Sequence, residues 1–270
     1  MKACQHPGVC KLCGELKPLT FEHVPPKHAF NSFPVMYYSF DEAIKIMAGA
    51  DGRKPWDFEG LKGKKHQAGS GAYYLCRSCN SNTGSWYIRE YTEMTQVIHS
   101  MLHQESVPVN AYCSFQLLNR YPLRIFKAIM TMFCDINHNC FGDESLRSFL
   151  MDKESSNFDS NKYELYMYLV SPSMKRINGI SAIGDLRGGA TLITEISSYP
   201  IGLTLYIDRY KEHTPFGVNI SSWANYSYDE KCNIEFIGIP YIELNSQIPT
   251  DFRSREEIEN CIKKSSLPTM

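Results

Sequence analysis

Two cysteine pairs carry the clearest chemistry in this chain. Cys10-Lys11-Leu12-Cys13-Gly14 and Cys76-Arg77-Ser78-Cys79 each have the two-residue spacing that presents a pair of thiolates to one metal ion. Two such pairs close a tetrahedral sphere around zinc and leave no position for water, which is the chemistry of a structural site rather than a catalytic one. Gly14 relieves the tight turn of a knuckle, and the second pair precedes a helical pattern. The competing reading is two unrelated pairs of core or redox thiols. Cys4 and His6 are rival ligands without the paired spacing, whereas Cys113, Cys134, Cys140, Cys232 and Cys261 are scattered and read as buried thiols.

Between the pairs stands Phe21-Glu22-His23-Val24-Pro25-Pro26. A carboxylate beside a histidine, followed by two prolines, presents a cation ligand and a base together. On a strand the two side chains point to opposite faces, so that one can bind an ion while the other meets a water. A hydrogen-bonded structural histidine would give the same dipeptide.

The sequence resembles the HNH endonucleases over residues 8–91. The resemblance rests on Cys10-x-x-Cys13, on Glu22-His23-Val24-x-Pro26 and on Leu75-Cys76-x-x-Cys79-Asn80, in family order. It implies a treble-clef unit of the ββα-metal kind, in which a hairpin and a helix grip one divalent ion. On that resemblance His23 is the general base, Glu22 the acidic ligand, and Asn80 stands where many members have a histidine ligand. Magnesium or manganese suits the oxygen ligands of Glu22 and Asn80. The chain departs from the family pattern in two ways. Gly69-Ser70-Gly71-Ala72-Tyr73-Tyr74 lacks the asparagine that braces the hairpin in many members, with His66 and Gln67 as nearby substitutes; and Asn80 is a weaker ligand than histidine, with Asn82 as a stand-in and a helix cap as its plainer role.

These residues need elements to position them. Residues 1–80 are rich in Pro, Gly, Cys and His, as where a metal replaces part of a core. The spacing of Trp86, Tyr87, Tyr91, Met94, Val97, Ile98 and Met101 predicts a helix over 85–103, and Val107-Pro108-Val109 marks a boundary between an HNH domain at 1–107 and an accessory domain at 108–270. Helices are expected over 122–137 and 143–151, then strands around 163–169, 191–197, 201–207 and 232–239, with Arg187-Gly188-Gly189 as a hairpin turn. The fold class is therefore α+β: a zinc-stabilised ββα-metal domain followed by a mixed helix-and-sheet domain.

The formal net charge of -1 is a poor match to a protein that coats nucleic acid. The positive excess lies in residues 1–100, with 12 Lys+Arg against 9 Asp+Glu, while residues 101–270 carry 16 against 20. Arg53-Lys54 and Lys62, Lys64, Lys65 and His66 can meet phosphate or simply solvate a loop. Tyr163, Tyr166, Tyr168, Tyr199, Tyr206 and Tyr210 either stack on bases or fill the core, and Arg176, Arg187 and Arg209 are further phosphate candidates.

With no apolar leader and no spanning segment, the expectation is a cytoplasmic protein without a membrane partner. The expected function is hydrolysis of phosphodiester bonds in DNA, with RNA left open, and the resemblance implies a setting in anti-phage defence or a mobile element. Zinc is structural, and magnesium or manganese catalytic. The C-terminal region is left with target recognition, docking of an activating protein, or homo-oligomerisation. The alternative function is a catalytically inactive, zinc-stabilised nucleic-acid-binding or adaptor protein.

Overall fold

Short polar strands build the N-terminal sheet. β1 (His6–Val9) pairs antiparallel with β2 (Leu16–His23), and the other edge of β2 pairs with β5 (Gly71–Cys76), giving the order β1-β2-β5. The connection from β2 to β5 contains a separate hairpin, β3 (Val35–Tyr38) with β4 (Gly63–His66). The computed structural model describes residues 6–38, 41–42, 45, 53–184 and 189–265. Cys4 and the Arg187-Gly188 part of the expected turn lie outside these, although β8 (Arg176–Gly184) and β9 (Ala190–Ser198), which that turn would join, are antiparallel partners.

β5 runs directly into α1 (Arg77–Thr83), a π-helical turn (Gly84–Ile88) and α2 (Arg89–Gln104). The expected helix therefore starts earlier than its apolar stripe, because extended Cys76 serves as the N-cap and the first turn, Arg77 to Asn80, carries a buried cysteine instead of an apolar stripe. Tyr87, Tyr91, Met94 and Ile98 are buried as the stripe predicts.

After β6 (Ala111–Arg120), α3 (Pro122–Ile136) is buried on every side, from Leu123 to Asp135 with only Arg124 excepted. A helix enclosed all round must lie between layers. One layer is the N-terminal unit, and the other is the large sheet. That sheet runs β6-β12-β7-β10-β9-β8, with β7 (Tyr163–Val170), β10 (Ile201–Ile207) and β12 (Cys232–Ile242) inside it and the short β11 (Val218–Asn219) paired to β7. One buried apolar cluster extends from Cys10, Leu12 and Leu75 through α3 to Leu165, Leu203 and Phe236. With α4 (Glu144–Met151) and α5 (Arg255–Ser265) added, the fold is mixed α+β. Among the described residues no helix is long and apolar enough to cross a membrane.

β6 and β8 escaped the sequence reading because they are the two edges of the sheet, where one-sided burial leaves little apolar alternation: β6 buries only Cys113 and Leu117. The tyrosines divide as well. Tyr163, Tyr168 and Tyr206 are core residues, and Tyr166, Tyr199 and Tyr210 are half-buried.

Candidate metal centre and adjoining site

Cys10 and Cys13 flank the turn between β1 and β2. The turn closes by Gly14 N–H donating to the Cys10 carbonyl at 2.9 Å, with Gly14 at φ +73°, a conformation that favours glycine. Cys76 ends β5 and Cys79 lies one turn into α1. The four sulfurs lie within 4.8 Å of one another, and Cys13 Sγ is 4.0 Å from Cys76 Sγ. A tetrahedron of thiolates about 2.3 Å from an ion has edges of roughly 3.8 Å, so this cluster can hold a metal such as zinc. The Cys76 amide donates to Cys10 Sγ at 3.3 Å, a bond that favours thiolate. The thiols contend for negative charge: the Cys79 side chain, outweighing desolvation, draws Cys10 down to about 4, while the Cys10 thiolate holds Cys79 far above the usual thiol range. A bound cation removes that conflict. His6 is not in the cluster; its ring stacks on Tyr73 at 3.6 Å.

Strand alternation separates Glu22 from His23. Phe21 and His23 share a face, their rings 5.0 Å apart and edge-on, while Glu22 points to the face shared with Thr20. There Asn80, from the fourth position of α1, donates through Nδ2 to Thr20 Oγ1 at 2.9 Å, on the face that carries the Glu22 carboxyl. Asn80 is thus not a helix cap. Burial pushes Glu22 up to about 7, with the Asn80 bond pulling the other way. Asn82 is exposed.

His23 Nε2 lies 2.9 Å from the Ala68 carbonyl, which can only accept, so Nε2 carries the proton and Nδ1 keeps its lone pair. Sequence reasoning missed the brace behind it. Asn31 is fully buried; its Nδ2 donates to the Pro25 carbonyl at 2.6 Å and the Ser70 carbonyl at 2.8 Å, and its Oδ1 accepts from the Ser70 amide at 2.8 Å. The signal was present in Gly69 and Gly71, where a Cβ would come 2.0 Å from the Asn31 carbonyl oxygen and 2.2 Å from that of Glu22. Gly-Ser-Gly marks backbone pressed on backbone. Of the two substitutes expected from sequence, His66 packs edge-on against Tyr37, whose hydroxyl accepts from the Gly71 amide at 3.2 Å, and Gln67 is exposed.

Beside the brace, a cleft of about 1080 Å³ opens between the β3–β4 hairpin and the C-terminal region, lined among others by Tyr37, Tyr38, Trp56, Phe58, Lys175 and Arg255. Lys175 Nζ donates to Asn31 Oδ1 at 3.0 Å, and desolvation lowers its pKa to about 8. The other candidate cations are mostly engaged. Arg176 is 1% exposed and paired with Glu195 at 2.7 Å, which removes it as a phosphate ligand; Arg209 is paired with Glu164 at 2.8 Å, and Arg53 donates to the carbonyls of Asp57 and Glu59. Lys64 and Lys65 are exposed. Of the scattered cysteines, Cys113, Cys134 and Cys140 are buried as expected, but Cys232, at the start of β12, is half-buried against the core, and Cys261 is exposed.

No protein-family model matches the chain, and neither the curated proteins nor the solved structures gave a match.

Proposed function

We propose that this chain is a metal-dependent nuclease of the HNH kind, with a structural zinc at Cys10, Cys13, Cys76 and Cys79 in a treble-clef unit. The observation that carries the reading is the hydrogen bond of Asn80 to Thr20, on the strand face that Glu22 shares. A strand and a helix that both lead out of the four-cysteine cluster bring a carboxyl and an amide to one face, on elements that follow one another as strand, strand, helix.

In this reading Glu22 and Asn80 hold a magnesium or manganese ion. When bound, the ion supplies positive charge for the scissile phosphate and the leaving 3′ oxygen. His23 takes the proton of the attacking water on Nδ1, and the Ala68 carbonyl fixes the ring in that tautomer. Asn31 and Ser70 keep the strand ends at fixed separation. The aromatic and cationic cleft beside them suits an unpaired or splayed polynucleotide, whose bases stack on rings while its phosphates meet Lys175 and Arg255. DNA is the first substrate to try and RNA the second; a role in anti-phage defence or a mobile element rests on the family resemblance alone.

The test is nicking of supercoiled plasmid, and cleavage of labelled RNA, with added magnesium or manganese. Wild type should cut and His23→Ala should lose at least about a hundredfold in rate, the usual size of a general-base contribution. Equal rates for the two proteins under every divalent metal would defeat the reading. The inactive-adaptor alternative drew on the missing bracing asparagine; the bonds of buried Asn31 to the Pro25 and Ser70 carbonyls support the catalytic reading over it.

A further inference from the structure

Lys175 and Arg176 are neighbours with opposite surroundings. Arg176 lies inside the sheet, paired with Glu195, and donates to the carbonyls of Ile248 and Asp251, both at 2.8 Å, so that one buried guanidinium fixes the C-terminal wall of the cleft. Lys175, one residue earlier, lines the cleft, and its Nζ donates to Asn31 Oδ1 at 3.0 Å. An ammonium carries three donors, and among the described residues no carboxylate pairs with this one. The other described cation of the lining, Arg255, is paired with Glu243 at 3.2 Å and lies over the Trp56 ring at 5.3 Å. Lys175 is therefore a half-buried cation in an open cleft with no counter-ion of its own.

The anion that fits here comes with a flat aromatic group. Tyr38 and Phe58 stack at 5.3 Å with 25° between their planes, and half-buried Trp56 lines the same cleft. Rings of this kind take the face of any nucleobase. The volume of about 1080 Å³ stands at the upper end of small-ligand pockets, enough for a nucleotide and the phosphates that flank it. A phosphate offers acceptors to both remaining donors of the ammonium, and the ring wall favours a nucleoside phosphate over a simple acid.

Asn31 Oδ1 accepts from Lys175 and also from the Ser70 amide at 2.8 Å, and Ser70 itself lines the cleft. We propose that Lys175 is a positioning residue that relays occupancy of the cleft to the His23 end of β2: a nucleoside phosphate seats its phosphate on the free donors of Lys175 and its base on the aromatic wall, and the ammonium so held clamps the Asn31 brace. The inference rests on the nucleic-acid part of the nuclease reading and not on cleavage. Desolvation without a counter-ion draws the lysine down to about 8, and an anion at Nζ restores its charge. A charged donor bonds an amide oxygen more strongly than a neutral one, so the brace is firmest with ligand in place. The same chemistry belongs to a nucleotide within a strand and to a free nucleotide.

The experiment is calorimetric titration of the full zinc-loaded chain, and of Lys175→Met and Trp56→Leu, with thymidine, thymidine 5′-monophosphate and a short oligothymidylate, followed by hydrogen exchange. Wild type should bind the monophosphate at least roughly tenfold more tightly than thymidine, and each variant should lose about tenfold for the monophosphate at unchanged zinc content. At matched occupancy, bound nucleotide should slow exchange of the Ser70 amide in wild type and leave it unchanged in Lys175→Met. A lysine that merely packs would alter exchange equally with and without ligand. The oligothymidylate binding at least about tenfold more tightly than the monophosphate supports the seat and assigns it to a strand; equal affinity supports it and assigns it to a free nucleotide. Monophosphate binding by Lys175→Met equal to wild type overturns the proposal, as does saturation of wild type without slower Ser70 exchange, or failure of wild type to bind either phosphate compound. If Lys175→Met does not fold, wild-type crystals soaked with the monophosphate decide: a phosphate oxygen within about 3.2 Å of Lys175 Nζ supports the proposal, and a phosphate elsewhere defeats it. Nucleotide binding through Lys175 without cleavage of any nucleic acid would defeat the nuclease reading and support this one, whereas cleavage by Lys175→Met at unchanged kcat and KM would do the reverse.

Discussion

Asn31 and Ser70 hydrogen-bond each other twice, the Asn31 amide donating to the Ser70 carbonyl and the Ser70 amide donating back to Asn31 Oδ1, both at 2.8 Å. A side-chain amide thereby plays the part of a strand at the open end of β2 and β5, and its third bond, to the Pro25 carbonyl, ties in the chain just after His23. The distance from His23 to the Ala68 carbonyl is therefore set by a residue that touches neither.

Asn31→Ala should expose this dependence. The substitution leaves the Ser70 amide, the Pro25 carbonyl and Lys175 Nζ short of a partner, while the Ser70 carbonyl keeps the Val24 amide, a loss of about 2–4 kcal/mol in unfolding free energy. Urea denaturation should register that loss while zinc content stays unchanged, because the cysteines lie at the other end of the sheet. Cleavage, where wild type cleaves, should fall through the rate constant more than through substrate binding.

Gly69→Ala should be as damaging for a different reason. The backbone there has φ +92°, and a Cβ would stand 2.0 Å from the Asn31 carbonyl oxygen, which is backbone and cannot swing aside. The expected cost is at least about 2 kcal/mol. Gly60, also at positive φ but with open space around its Cβ position, is the control: Gly60→Ala should lose about 1 kcal/mol at most.

How much of this was legible beforehand follows from what each feature depends on. The four cysteines could be read directly, because metal-ligand spacing is a local property. Glu22 and Asn80 could be paired only through the family resemblance. The brace was legible only on one side: Gly69-Ser70-Gly71 marks backbone pressed on backbone, but Asn31 lies far from Ser70 in sequence, and nothing in its neighbours distinguishes it from a loop asparagine. The interior strands showed their period of two, but edge strands β6 and β8 did not, because packing on one side asks for few apolar residues.

Loss of the zinc proposed at the four cysteines should undo more than the knuckle. Cys10, Leu12, Cys76 and Cys79 belong to the same buried cluster as Tyr87, Tyr91 and α3, so Cys79→Ser, or prolonged chelation, should lower the melting transition of the whole chain instead of producing a separate early step. Calorimetry checks this, with metal content measured by atomic absorption. A C-terminal region that melts unchanged after zinc loss would mean that the two layers around α3 are energetically independent.

Asp143 sets the behaviour in acid. It caps α4, its Oδ1 accepting from the Ser145 and Leu146 amides at 2.9 and 3.1 Å, while Oδ2 accepts from Lys162 Nζ at 2.6 Å and the Tyr163 hydroxyl at 2.8 Å. Partial desolvation would raise its pKa, but the Lys162 bond and the capping bonds prevail and hold it well below the usual carboxylate range. A carboxyl depressed by folding adds stability above its unfolded pKa of 3.8 and loses it as pH falls below that value toward the folded one. Asp143→Ala should therefore cost about 1–2 kcal/mol at pH 7, a capping loss, and the gap between variant and wild type should close as pH falls below about 4. Thermal melts from pH 7 down to pH 3 measure this directly. A gap that stays constant across the range would assign the stabilisation to packing around Tyr163 instead of to the ionised cap.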